Sequence, residues 1–175
     1  MGELLTFGHG RLSAEELLAM VDDAGIRRVV DIRRFPGSRA NEAAARGRIP
    51  EILAEGGIDY RWDERLGGRR RLTKEEDANS PDTWWRVAAF RAYCAWTRTP
   101  EFRCGLHELR DDVAAVRTAV MCSETVWWRC HRRIVADVVT VDGVDVEHLL
   151  PGGRLDRHMP SAGARAGPDG LVWDG

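Results

Sequence analysis

Residues 4–32, LLTFGHGRLSAEELLAMVDDAGIRRVVDI, decide the fold. Leu4 to Phe7 form a short apolar run that stops at Gly8 and reads as a strand. Ser13 and Glu16 form a capping box: the hydroxyl caps the helix start and the glutamate reaches back from three residues on. Leu17, Leu18, Met20 and Val21 follow at helical spacing, and Gly25 stops the helix. Val29, Val30 and Ile32 then supply the β-branched run of a second strand, broken by Phe35-Pro36-Gly37.

Outward from this unit the alternation continues. A short helix is expected near Pro50, ending at Gly56-Gly57, and Ile58 to Trp62 alternates like a third strand. Residues 63–80 are rich in Arg, Gly and acidic side chains and read as a long loop. A helix is expected from Thr83 to Arg98. Another starts at Thr99-Pro100-Glu101, with Thr as cap and Pro in the first turn, and runs to Val113. Residues 118–122 read as a strand, Arg129 to Val141 as a helix and Val144 to Leu150 as a last strand. Strands alternating with helices imply a three-layer α/β/α sandwich around a mostly parallel five-stranded sheet. Residues 1–150 are expected to form one α/β domain. Residues 151–175 are a Gly/Pro/Arg-rich C-terminal tail that is either disordered or wraps that domain.

Composition narrows the class. The chain is 43% hydrophobic and 31% charged, which excludes disordered, collagenous and membrane-embedded proteins. No apolar stretch approaches the ~18 residues needed to span a bilayer. The opening residues MGELLTFGHG lack the basic segment and apolar run of a secretory signal. The four cysteines are therefore expected to be reduced thiols in a cytoplasmic protein without membrane association. No repeat of solenoid period is present.

Chemistry in such folds sits at the carboxyl ends of the strands, near a switch in strand order. Gly8-His9-Gly10 follow the first strand, and Asp31, Arg33, Ser38 and Arg39 follow the second. Cys122 and Glu124 follow the fourth, before Trp127, Trp128, Cys130, His131 and Arg132 at a helix start. The formal net charge of −2 hides a pattern. Residues 33–39, 65–74 and 129–136 hold ten arginines, Lys74 and no acid. Three loops of one sign at one edge suggest a pocket for an anion, since arginine forks match phosphate or carboxylate. Trp62, Trp127 and Trp128 offer stacking surfaces for bases, while Trp84 and Trp96 read as helix-packing residues.

The pattern Gly8-His9, Asp31-x-Arg33-x-x-Pro36-x-Ser38-Arg39, Leu66-Gly67-Gly68, Thr99-Pro100-Glu101-Phe102 and Cys122-x-Glu124 before Cys130-His131-Arg132 resembles the domain of unknown function 488 family. The resemblance spans residues 4–150 and implies a three-layer α/β fold. It names no activity and no cofactor. The residues that match are His9, Asp31, Arg33, Ser38, Arg39, Cys122, Glu124, Cys130, His131 and Arg132. Thr125-Val126-Trp127-Trp128 depart from the polar, Pro-containing stretch usual before Cys-His-Arg.

The first functional reading is therefore an enzyme or binding protein acting on an anionic, phosphate-bearing ligand, either a nucleotide or nucleic acid. In it Arg33, Arg39 and Arg132 hold phosphate, helped by Ser38, Cys130, His131 and Trp128. His9 and Asp31 form an acid/base pair, and Glu124 orients them or acts as a second base. An alternative is thiol chemistry at Cys122, whose pKa nearby N–H groups and arginines would lower. Metal binding by Cys122, Cys130, His131 and His9 is a third reading, although their spacing matches no common zinc motif, and no metal ligand is assigned. A non-catalytic anion-binding module is a fourth. Cys94 and Cys104 are expected in the core. His107, His148 and His158 carry no motif.

Overall fold

The computed structural model describes residues 2–175. Its strands are β1 (Glu3–Gly8), β2 (Arg28–Asp31), β3 (Asp59–Trp62), β4 (Thr118–Cys122), β5 (Asp145–Leu149), β6 (Leu155–Arg157), β7 (Ala164–Gly167) and β8 (Gly170–Trp173). Its helices are α1 (Ala14–Asp23), α2 (Arg48–Glu55), α3 (Lys74–Ala78), α4 (Ala88–Thr97), α5 (Pro100–Ala115) and α6 (Arg132–Val141). The central sheet runs β3-β2-β4-β1-β5-β6. All its pairs are parallel except β5–β6. The sheet therefore has six strands rather than the expected five. The sixth, Leu-Asp-Arg, is three residues long at an edge and has no apolar run to announce it.

Side-chain alternation gives the sheet two buried faces. Leu5, Phe7, Val29 and Met121 pack with Leu17 and Val21 of α1 and Ile52 and Leu53 of α2. Leu4, Val30, Val120 and Val146 pack with Tyr93 of α4, Phe102 and Leu109 of α5 and Ile134 and Val135 of α6. Helices therefore cover both faces, as the sequence implies. The chain crosses the first face between β1, β2 and β3, and the second between β3, β4 and β5. Neighbours β1 and β4 send their next helices to opposite faces, so the strand-order switch lies between their carboxyl ends.

Ser13 and Glu16 make the expected reciprocal cap on α1, with Oγ accepting from Glu16 N–H at 3.1 Å. Other boundaries differ for physical reasons. The helix expected from Thr83 begins at Ala88. Before it, Trp84 N–H donates to the Trp173 carbonyl, and the buried Asp82 carboxylate accepts from Arg98. The expected loop of residues 63–80 contains α3, capped by Thr73 and Glu76; with no buried side chain, it has no apolar stripe to reveal it. The helix expected from Arg129 splits into a 3-10 turn at Trp127–Arg129 and α6, because Cys130 is extended. Cys104, expected in the core, is exposed. The inward face of α5 carries Phe102, Leu106, Leu109 and Val113 instead.

The segment after Pro151 follows the sheet edge as β6 and returns as the β7–β8 hairpin. Leu171 and Trp173 of that hairpin join the second buried face, and Trp173 is fully buried.

Candidate functional site

The loops after β1 and β4 are stitched together at the switch. His9 N–H donates to the Cys122 carbonyl at 2.9 Å and Gly10 N–H to the Ser123 carbonyl at 3.0 Å. This approach explains the two glycines around His9. A Cβ on Gly8 would lie 1.8 Å from the Glu124 carbonyl oxygen, and one on Gly10 (φ +45) 2.0 Å from Thr125 Oγ1. The obstacle at Gly8 is backbone and cannot rotate away. Gly8→Ala is therefore expected to lower unfolding stability by about 1–3 kcal/mol, read from urea titration.

Period-two alternation sorts the strand-end residues onto the two faces. Asp31, Arg33, Tyr60 and His9 gather on the α1/α2 side. Arg33 forms a bidentate pair with Asp31, Nε to Oδ1 at 2.9 Å and NH2 to Oδ2 at 2.7 Å. Tyr60 O–H donates to the same carboxylate at 2.6 Å. Arg33 NH1 faces His9 Nε2 at 3.4 Å, and His9 Nδ1 faces the Gly10 carbonyl at 3.1 Å. An arginine can only donate, so Nε2 accepts and Nδ1 carries the proton. Burial lowers the His9 pKa, and Arg33 pushes it the same way. His9 is thus a neutral imidazole facing Arg33, and Asp31 is bound to Arg33 and Tyr60 rather than to His9.

Cys122, Cys130, Arg132 and His131 gather on the opposite side. The Cys122 and Cys130 sulfurs are 2.8 Å apart. Arg132 Nε donates to Cys122 Sγ at 3.0 Å, and the Arg132 N–H at the start of α6 donates to Cys130 Sγ at 3.3 Å. Arg132 NH2 also donates to the Glu124 and Thr125 carbonyls. His131 Nε2 donates to the Ile32 carbonyl at 2.9 Å, leaving Nδ1 toward Cys130 at 3.6 Å. Burial and the neighbouring sulfur raise the Cys122 thiol well above its ordinary value. Burial opposes the Cys130 thiolate too, but the Cys122 hydrogen bond and Arg132 outweigh it and bring Cys130 down to about 7. The sequence points to Cys122 as the activated thiol; of the two sulfurs it is Cys130 that the surroundings bring down and Cys122 that they push up.

Arg132 also opens a network that carries no sequence motif. NH1 donates to Thr6 Oγ1 at 3.0 Å, and Thr6 O–H lies 2.6 Å from His148 Nδ1. His148 Nε2 faces His158 Nδ1 at 2.9 Å, and His158 Nε2 faces Asp137 Oδ1 at 2.8 Å. Asp137 also accepts from Ser161 N–H and Trp173 Nε1. Every link is satisfied if both histidines are neutral and protonated on Nε2. Burial, with His158 beside it, pushes His148 down to about 2. Trp127 stacks on His148 at 4.1 Å. His148 was legible only through its strand parity with Val146, and His158 had no signal.

The remaining expected site residues lie outside these clusters. Glu124 is exposed and contributes its carbonyl. Ser38 Oγ accepts from the Ala40 and Asn41 N–H groups, and Arg39 is exposed. Trp128 is exposed and meets Trp127 edge-on. Two of the three basic windows do converge. Arg34, Arg69, Arg70, Arg71 and Lys74 line a cleft of about 1130 Å³ floored by Ala92 and Ala95 of α4. Arg34 and Arg69 lie over Phe35, and Arg70 over Trp96 at 3.8 Å. The third window turns inward through Arg132, while Arg133 lies over Trp84 and Trp85.

Among the described residues, no group of three or more histidine, cysteine or carboxylate side chains is placed to hold a metal ion. Among them, too, no helix is long and apolar enough to cross a membrane. No curated protein and no solved structure matches the chain. The sequence profile of the family described as "Domain of unknown function DUF488" matches residues 13–139, from the cap of α1 into α6 and through Asp31, Arg33, Cys122, Cys130 and Arg132. The chain belongs to that family.

Proposed function

We propose that this protein binds an anionic, phosphate-bearing ligand in the cleft between the Arg34-Phe35 turn, residues 69–74 and α4. One observation carries the reading. Five cationic side chains line the cleft, and the lining carboxylate, Asp77, is already bound by Arg91 at 2.8 and 2.9 Å. Arg33 and Arg132, the arginines singled out by sequence, are buried with internal partners, and Arg34 and Arg70 already donate to loop carbonyls, so the exposed Arg69, Arg71 and Lys74 take the ligand. Phe35 is 60% exposed and offers a face for a base.

The test is titration of a fluorescent single-stranded oligonucleotide, and of a nucleotide, across a salt series. Affinity for the strand is expected to fall steeply with salt. Arg71→Glu with Lys74→Glu is expected to weaken binding and to flatten the salt slope by about 0.7 per lost phosphate contact. Salt-independent binding, or none, refutes the reading.

A second reading, a cysteine-dependent reaction, is favoured by the Cys130 sulfur held between Cys122, Arg132 and the start of α6. Alkylation of Cys130 by iodoacetamide is expected to rise with pH with a midpoint near 7, because only the thiolate reacts. A midpoint near the ordinary thiol value, or an unreactive Cys130, refutes it. The four free cysteines suit the reducing cytoplasm, where we place the protein.

A further inference from the structure

We propose that Cys122 and Cys130 form a reversible two-electron dithiol–disulfide couple oxidised by peroxides, with Cys130 the attacking sulfur and Cys122 the resolving one. This rests on the reading of Cys130 as the reactive thiol and is independent of the basic cleft. The two residues come from different elements, the end of β4 and the approach to α6, yet their sulfurs touch at 2.8 Å. A disulfide needs about 2.05 Å, so pairing requires little movement. The other thiols have no such partner: Cys94 is buried in the core, and Cys104 is exposed on α5 beside Arg65.

The surroundings assign the two roles. Cys130 receives the Arg132 N–H at the start of α6, which favours a thiolate, while the Arg132 guanidinium serves both sulfurs and donates to Cys122. Cys122 is almost wholly buried and keeps its proton, as a resolving thiol does until a partner sulfur is oxidised. Burial also selects the oxidant. Cys130 is 7% exposed and Cys122 2%, so a small oxidant has the readiest approach and larger thiol reagents are expected to react more slowly.

The steps balance with hydrogen peroxide as oxidant. The Cys130 thiolate attacks one peroxide oxygen, the O–O bond breaks, and Cys130 becomes a sulfenic acid as hydroxide leaves and takes up the proton that Cys130 released on ionising, forming the first water. The Cys122 sulfur then attacks the Cys130 sulfur, and the S–O bond breaks. The departing hydroxide takes the Cys122 proton and leaves as water. Two thiols and one peroxide give one disulfide and two waters. A dithiol reductant restores both thiols. In the cytoplasm such a bond is transient, as expected of a redox-sensing pair.

The experiment treats the full chain with hydrogen peroxide, blocks the remaining thiols and maps peptides without reduction. The expected result is loss of two of the four thiols, a Cys122–Cys130 cross-linked peptide lighter by two hydrogens, and full reversal by dithiothreitol. In Cys122→Ser, Cys130 is expected to stop at the sulfenic acid and be trapped by dimedone. Oxidation confined to Cys104, Cys130 driven to sulfinic acid with Cys122 still free, or no thiol loss each overturns the proposal. The wild-type result stands if the variant does not fold. Normal iodoacetamide labelling of Cys130 without the cross-link sinks the couple alone; absent labelling sinks the thiol reading with it.

Discussion

Arg132→Ala is expected to destabilise the protein by about 3–5 kcal/mol, which lowers the melting temperature by roughly 6–20 °C for a chain of this size. The reason is the number of groups one side chain serves in a place without water. Arg132 is fully buried and donates to Cys122, Thr6 and the carbonyls of Glu124 and Thr125. Alanine takes the guanidinium donors from two loop carbonyls, each costing about 1–3 kcal/mol, and leaves the Thr6 hydroxyl with His148 as its remaining partner. It also removes the cation beside the two sulfurs. Burial works against the arginine's charge, but the two sulfurs raise its pKa above the ordinary value, so it stays charged. Arg132→Lys keeps the charge and loses the fork, so it is expected to recover only part of the loss. In whichever variant folds, the alkylation midpoint of Cys130 is expected to move above 7. Urea unfolding checks the first point; a loss below about 1 kcal/mol contradicts it.

Ending the chain at Leu150 is expected to abolish cooperative folding. Two losses combine. Trp173 is fully buried, and removing such a ring costs about 3–5 kcal/mol. His158, Ser161 and Trp173 also provide the donors around the Asp137 carboxylate, which is itself fully buried. A buried charge stripped of its partners costs about 3–5 kcal/mol more. Together these approach the whole stability of an ordinary domain, about 5–15 kcal/mol. Near-UV circular dichroism and urea unfolding of the shortened chain decide the point. A sharp transition there means residues 1–150 stand alone, as composition implies. Trp173→Phe separates the terms: it keeps most of the apolar volume and drops one donor to Asp137.

The fold was legible where local chemistry and hydrophobic pattern agreed. The Ser13–Glu16 box, the stop at Gly25 and the Val29-Val30 run mark α1 and β2 by local chemistry alone. The site was half legible. Residue type at strand ends picked out His9, Asp31, Cys122 and Arg132, but merged into one pocket what the sheet separates into two. Parity held the missing information. Leu5, Phe7 and His9 share one face with Val29, Asp31 and Arg33, while Thr6 and Cys122 lie on the other. The same count sends Arg34 with Val30 and Ile32 toward α4, where the open cleft lies. Long-range partners had no such signal. Nothing near His158 shows that it meets Asp137 in α6, and β6 is an edge strand with no apolar run.

The chain of donors from Arg132 through Thr6, His148 and His158 to Asp137 has a single polarity. With both histidines neutral and protonated on Nε2, each group gives its proton toward the carboxylate and accepts from the arginine side. Such a row acts as aligned dipoles, a short counterpart in side chains of the dipole along a helix. No link reverses alone, because reversal would set two hydrogens or two lone pairs face to face. A change of charge at the sulfurs therefore acts on the whole row, out to His158 beyond the last central strand. The stretch that composition sets apart as an appendage supplies, through His158, the last link of that row to Asp137.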